Sequence, residues 1–244
     1  MNIESKAIGN WQCQWSPVWS AEGEQADTSM RDVLNLIADF PVTLKDDKRS
    51  LVKRGTLFGS EVIAKSPRDK NGRKWSRFLS LFRQSEVMKT LSTLTDFWEK
   101  SIPSVKPVCV FEKRVFGFVT DSWLIYEFKE GVVSDINKLH HIVILLNTLH
   151  RYGYRHDDPN FGNFLVDDNE KLFLIDCKGK SKIGSFSEYY DFILLSERNQ
   201  GVQLEELLTM AGLNNSSLGY QLARFYAFYK EKRTQLKKRI RRQA

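Results

Sequence analysis

Between Arg151 and Lys180 the chain reads RYGYRHDDPNFGNFLVDDNEKLFLIDCKGK, and three residues in it have the types and order that phosphoryl transfer from a nucleotide requires. Asp158 is followed five positions later by Asn163, and the apolar run 172–175 ends on Asp176. In such a transfer one carboxylate meets the acceptor hydroxyl. A carboxamide and a second carboxylate hold Mg²⁺ against the phosphates, because positioning and charge neutralisation dominate the rate. Asp158 suits the first role, and Asn163 and Asp176 suit the metal roles. Something must bring the last two together. Phe164, Leu165 and Val166 form one strand-like run and residues 171–175 another, separated by the turn-rich Asp167-Asp168-Asn169-Glu170. A hairpin is therefore predicted, with Asn163 just before its first strand and Asp176 just after its second, so that both face one cation.

His156-x-Asp158-Pro159-Asn160-x-x-Asn163 followed by Ile175-Asp176 resembles the catalytic and metal-binding loops of the protein-kinase-like superfamily, in the H-x-D-P-x-x-x-N form of its bacterial branches. Within those branches, DPNFGNF followed by IDCKGKS is most similar to the lipopolysaccharide core heptose kinases. The resemblance implies an α+β, two-lobed protein-kinase-like fold. A small β-rich N-lobe (32–128) and a reduced, mostly helical C-lobe (129–232) would stand between an N-terminal arm (1–31) and a basic C-terminal tail (233–244). It further implies ATP and Mg²⁺ as cofactors and a lipid-linked sugar, a heptose of lipopolysaccharide core, as acceptor. The alternatives are a kinase for another small-molecule or protein hydroxyl, and a catalytically inactive kinase-like binding module. In the same family the loop histidine holds the loop rather than acting as base, so His156 is assigned to structure. Asp157 stands where Arg or Gly is usual.

Upstream, residues 40–44, 49–53 and 61–65 read as a three-stranded meander joined by Lys45-Asp46-Asp47-Lys48 and by a 55–59 turn. The family's first turn is glycine-rich and covers the phosphates. Here no G-x-G-x-x-G occurs, and the missing loop favours the binding module. Lys65 closes Val62-Ile63-Ala64-Lys65, which resembles the V-A-I-K strand whose lysine meets the α- and β-phosphates. Glu86, on a helix predicted over 75–91 from Phe78, Leu79, Phe82, Val87 and Leu91, is its expected partner; a surface role is the alternative. Arg68, Lys70, Arg73, Lys74, Arg77 and Arg83 surround this region, as a solvated face or as a receiver of an anionic acceptor. Further on, 108–112, 117–120 and 123–128 read as strands, the last of them corresponding to the family's inter-lobe hinge.

The strongest helix signal covers 134–152, where Ile136, Leu139, Val143, Leu146 and Leu149 repeat at three and four, with Ser134 as N-cap and Gly153 as C-cap. The offsets of His140, His141 and His150 make no metal face. Helices are also predicted over 187–199, 204–210 and from 217 onward. Asp191 resembles the family's buried aspartate that ties down the catalytic loop, with an ordinary surface acid as the alternative. No A-P-E stretch follows Asp176, which argues against a regulated protein kinase and suits a non-protein acceptor.

With 244 residues and 41% hydrophobic content the chain can bury a core of its own. Its aliphatic runs are too short to span a bilayer and its first residues lack a signal-peptide pattern, so a cytoplasmic protein is expected. Cys13, Cys109 and Cys177 are expected as free thiols, Cys177 as a space-filler. Nine of the 37 lysines and arginines fall in the last 24 residues against one acid, so the rest of the chain is close to neutral. That tail implies peripheral attachment to the anionic inner-membrane surface through 233–242, with Phe225 to Tyr229 packed on the large lobe. No base-reading module accompanies it, and no nucleic acid is expected. Trp11, Trp15 and Trp19 are read as an arm packing on its own domain, or as a lid or partner-binding segment.

Overall fold

A computed structural model describes residues 5–20, 30–57, 59–72, 78–177 and 179–243. The chain forms two compact units, Met1–Glu130 and Gly131–Ala244.

The first unit is built on one antiparallel sheet. Its strands are β1 (Ser5–Ile8), β2 (Trp11–Trp15), β3 (Val42–Asp46), β4 (Leu51–Leu57), β5 (Ser60–Ser66), β6 (Pro107–Val115) and β7 (Phe118–Glu127), in the order β1-β2-β6-β7-β5-β4-β3. The tryptophan segment expected as an arm supplies β1, β2 and the short helix α1 (Pro17–Ser20). Trp19 is buried, while Trp11 and Trp15 lie against a core of Val62, Ala64, Cys109, Phe111 and Ile125. Apolar burial is what recruits this segment to the sheet. Helix α2 (Met30–Ala38) and helix α3 (Arg68–Gly72) flank β3 and β5 in the chain.

Several boundaries differ from expectation, β3 among them, which runs Val42–Asp46 rather than 40–44. The 55–59 turn is shorter, because β4 runs through Gly55, where an added Cβ would stand 2.4 Å from the Phe40 ring; the glycine is there for the ring. The two expected strands over 117–128 are one, β7 (Phe118–Glu127), since Asp121 and Ser122, polar residues at the expected break, stay in register opposite Lys113 and Glu112. The predicted 75–91 helix is interrupted. Residues 75–77 lie outside the described residues; Phe78 and Leu79 are helical, residues 80–82 then turn on hydrogen bonds from Leu81 N to Phe78 O (3.2 Å) and from Phe82 N to Leu79 O (3.2 Å), and helix α4 begins only at Glu86 (Glu86–Glu99). Ser85 caps it by accepting from Met88 N (3.2 Å), and buried Val87, Leu91, Leu94 and Phe97 form its inward face. Phe78 and Phe82, counted as core positions by periodicity, are exposed.

In the second unit, helix α5 (Leu139–Arg151) buries Leu139, Ile142, Val143, Leu145, Leu146 and Leu149. Its start differs from expectation. Asp135, not Ser134, caps the preceding 3-10 turn (Ile136–Lys138) by accepting from Asn137 N (2.9 Å), while Ser134 lies one residue earlier and donates its N–H to Phe164 O (2.9 Å). Gly153, at φ +82, ends the helix as a left-handed residue after Tyr152. The remaining helices are α6 (Phe186–Arg198), α7 (Leu204–Met210) and α8 (Leu218–Gln243). Two small ladders complete the unit: β8 (Val132–Val133), β10 (Phe164–Val166) and β11 (Leu172–Leu174) in the order β11-β10-β8, and β9 (Tyr154–Arg155) paired with β12 (Lys180–Ser181).

The final helix departs most from the sequence reading. It packs on α6 through small residues, Ala223 and Ala227, and through Tyr226, whose ring meets Tyr190 at 5.3 Å and Phe186 at 5.7 Å. Phe225 (70% exposed), Phe228 and Tyr229 face outward rather than into the lobe. A close helix crossing selects alanine, and the large residues take the other side. The side chains of Lys237, Lys238, Ile240, Arg241 and Arg242, like those of Lys70, Arg73, Lys74 and Arg77, lie outside the described residues.

Candidate active site

The loop between α5 and β10 is held from below by one acid. Asp191, fully buried in α6, accepts hydrogen bonds from the backbone amides of His156 (Oδ2, 2.6 Å) and Asp157 (Oδ1, 2.8 Å), and its Oδ2 also bonds His150 Nε2 at 3.0 Å. Asp157 sits at φ +66, a conformation that costs energy outside glycine and persists only where surrounding contacts impose it. Its buried carboxylate pairs with Lys180 Nζ (2.6 Å) and Arg155 Nη2 (3.4 Å), residues opposite each other in the β9–β12 ladder. His156 is buried with its ring 5.2 Å from that of Phe164, in the packing role assigned to it.

Asp158 follows, about one-third exposed, and the proline after it restricts its backbone to extended conformations. Its carbonyl accepts from Asn163 Nδ2 (2.7 Å) and Asn160 Nδ2 (3.3 Å), and its carboxylate pairs with the guanidinium of Arg198. Asn163 ends a 3-10 turn (Phe161–Asn163) immediately before β10. Because Phe164 pairs with Leu174, and Ile175 N donates to Asn163 O (3.1 Å), Asn163 and Asp176 come to the same end of the hairpin. The hairpin closes on Asp167, whose Oδ1 accepts from Asn169 N (3.1 Å) and Lys171 N (2.9 Å). Asp158, Asn163 and Asp176 are thus brought together by one loop and one hairpin.

These groups fit Mg²⁺. Asn163 commits its amide nitrogen to the loop, which leaves its oxygen end for a hard cation, and Asp176 is an exposed carboxylate beside it. Among the described residues no cluster of three or more His, Cys, Asp or Glu could cage a metal. A cation here would need further oxygens from phosphates, as Mg²⁺ bound by one or two carboxylates does.

In the first unit, Lys65 is the penultimate residue of β5, half-buried, opposite Val52 and Leu124. Glu86 is the first residue of α4 and exposed, a position where the helix dipole itself favours a carboxylate. In the turn that stands in place of a glycine-rich loop, Asp47 Oδ1 takes the amides of Arg49 (2.8 Å) and Ser50 (2.7 Å), so these are not offered to a phosphate. The Ser50 amide, chiefly, holds the Asp47 carboxyl below its ordinary range. Arg68 is paired with Asp46 on β3 (2.5 Å), and Cys109 is a buried thiol whose burial pushes its ionisation up, as suits an inert one.

No family model matches the chain, and no curated protein matches it either. Among solved structures, WaaP in complex with acyl carrier protein is similar over 84% of this chain and 92% of that one, at 12% identity and a TM-score of 0.51. The fold is kinase-like. At this identity the likeness is one of fold, and the loop chemistry must be argued from this chain's own residues.

Within that kinase-like fold, the sequence reading missed the residues that α6 sends to the loop. Arg198 ends the helix against Asp158, and Asn199, buried, accepts from Phe161 N (2.9 Å) while donating to Leu195 O (2.7 Å). It also missed the ion pairs of Asp157 with Arg155 and Lys180. Nothing in spacing marks these residues, because the contacts close loops of 38 positions (Asn199 to Phe161) and 40 positions (Arg198 to Asp158) or depend on a two-residue ladder. Asp191 is reached through the family resemblance, with an ordinary surface acid as the alternative, and the structure buries it.

Proposed function

We propose that the protein is an ATP- and Mg²⁺-dependent kinase that phosphorylates a sugar hydroxyl, a heptose of lipopolysaccharide core. The observation that carries the reading is the convergence of Asp158, Asn163 and Asp176 at one loop-and-hairpin end, with Asp191 fixing the loop's backbone. The kinase-like fold shared with WaaP supports the transfer chemistry, and the resemblance of DPNFGNF and IDCKGKS to the lipopolysaccharide core heptose kinases supports the acceptor class. Asp158 orients the acceptor hydroxyl and takes its proton. Asn163 and Asp176 would hold Mg²⁺, which neutralises phosphate charge when bound. Lys65, with Glu86 as its partner, is proposed to meet the nucleotide phosphates.

The test is incubation with labelled ATP and truncated core lipopolysaccharides, followed by locating the phosphate. A companion measurement reads the nucleotide alone. Mg·ATP at about 100 times its dissociation constant should stabilise the protein by ~2.7 kcal/mol, and Asp176→Asn should lose most of that gain. Equal stabilisation of the variant would remove Asp176 from the metal role, and no stabilisation of the natural protein would favour a binding module of another kind.

A second element of the reading concerns location. Along α8 the exposed Leu218, Leu222, Phe225, Tyr229 and Leu236 fall on one face, opposite buried Ala223 and Ala227, and the helix continues into the basic segment 233–242. Among the described residues no helix is long and apolar enough to cross a membrane. An apolar stripe ending in lysines and arginines matches the anionic inner-membrane surface, where each such charge contributes about 1 kcal/mol. Flotation should recover the protein with anionic but not neutral vesicles, with loss at high salt and on deleting 233–242. Unchanged flotation of the truncated protein rejects attachment through that segment.

A further inference from the structure

We propose that Arg198 is a catalytic residue that contacts the transferring phosphoryl group, reaching it from its station on the Asp158 carboxylate. The proposal rests on the kinase reading above and adds to it the source of positive charge at the reacting centre.

Phosphoryl transfer spreads negative charge over the three equatorial oxygens of the moving group, and cations placed there are worth orders of magnitude in rate. From Asp158 to Asn163 the loop reads DPNFGN and contains no lysine or arginine. The structure supplies one from elsewhere: Arg198 Nη1 is paired with Asp158 Oδ1. The pair is neither interior nor loose. The two side chains are 34% and 35% exposed, so a ligand that reaches one reaches the other. The backbone beneath Arg198 is fixed, because Tyr189–Leu195 of its helix is buried and the next residue, Asn199, ties that helix to the loop through Phe161 N.

A guanidinium has five N–H donors in a fixed plane, and a contact through Nη1 leaves others for phosphate oxygens. Arg198 can therefore hold the carboxylate and the phosphoryl group at once. In the step itself the acceptor oxygen bonds to the γ-phosphorus as the bond to the β,γ-bridging oxygen breaks. The bridging electron pair leaves on ADP, and the hydroxyl proton passes to Asp158 and then to solvent. Arg198 exchanges no proton in this scheme and supplies charge alone.

A cation at a helix C-terminus is also favoured by the helix dipole, and one beside a carboxylate can act merely as its tether. A measurement that needs no acceptor separates these roles. Mg·ADP with aluminium fluoride presents a planar mimic of the phosphoryl group in transit. Binding of Mg·ADP, with and without aluminium fluoride, is read by calorimetry and thermal shift. Arg198→Ala should weaken the aluminium fluoride complex about 10²-fold while Mg·ADP binding stays within about threefold, and Arg198→Lys should recover part of the loss. With an acceptor in hand, guanidinium ion should partly restore kcat to Arg198→Ala, which a tether lost from the fold would not allow. Equal weakening of both nucleotide complexes, or of neither, overturns the proposal. Failure of the natural protein to bind Mg·ADP at all overturns the kinase reading first, and this contact with it.

Discussion

Replacing Asp158 with alanine should lower turnover by about 10²–10⁴-fold while Mg·ATP still binds. The carboxylate is removed from the acceptor side, whereas Asn163 and Asp176, which would hold the metal, stay on their own hairpin. The loop itself should survive, because it is held through backbone amides on Asp191 and through the Asp158 carbonyl, none of which the substitution touches. Asp158→Asn is the sharper variant, since it keeps the shape and loses the base. Turnover near that of the natural protein in either variant would remove Asp158 from the chemistry, and loss of Mg·ATP binding in both would place it among the nucleotide ligands instead.

Asp191→Ala should act through the fold. Three donors end on this one fully buried carboxylate: two loop amides and His150 Nε2. Each buried donor left without an acceptor costs about 1–3 kcal/mol, so a loss of about 4 kcal/mol is expected from a total that is commonly about 5–15 kcal/mol. For a protein of this size that corresponds to a fall in melting temperature of roughly 8–16 °C. Turnover should fall with it, since Asp157 at φ +66 is retained by these bonds and Asp158 is the next residue. A melting temperature within about 2 °C of the natural protein would mean that water or a rearranged loop satisfies the donors, and that Asp191 is not the support described here.

The two effects divide along the line between what sequence carries and what folding adds. Local chemistry was legible. The order Asp158, Asn163, Asp176, the turn at 167–170 and the short runs beside it determine a hairpin from propensity and side-chain-to-backbone bonds that span a few residues. The helix over Leu139–Arg151 and the helix over Leu204–Met210 follow from apolar periodicity in the same way. Periodicity failed where the sites it counted are not all buried. Residues 78–82 carry apolar side chains at helical spacing, yet Ser85 caps a new helix and Phe82 is left 76% exposed.

On α8, a period-3.6 face is visible in the sequence, but which side meets the protein is not. Ala223 and Ala227 are chosen by the close approach of α6, and this leaves Phe225 and Tyr229 outward. Contacts between distant segments have no local signature at all. Arg198 meets Asp158, and Lys180 meets Asp157, only because α6 and the β9–β12 ladder place them there. The sequence thus determined which polar groups the loop and hairpin carry. The tertiary structure decided which charges stand beside them, because charge partners are set by through-space distance, and distance between remote residues is a property of packing alone.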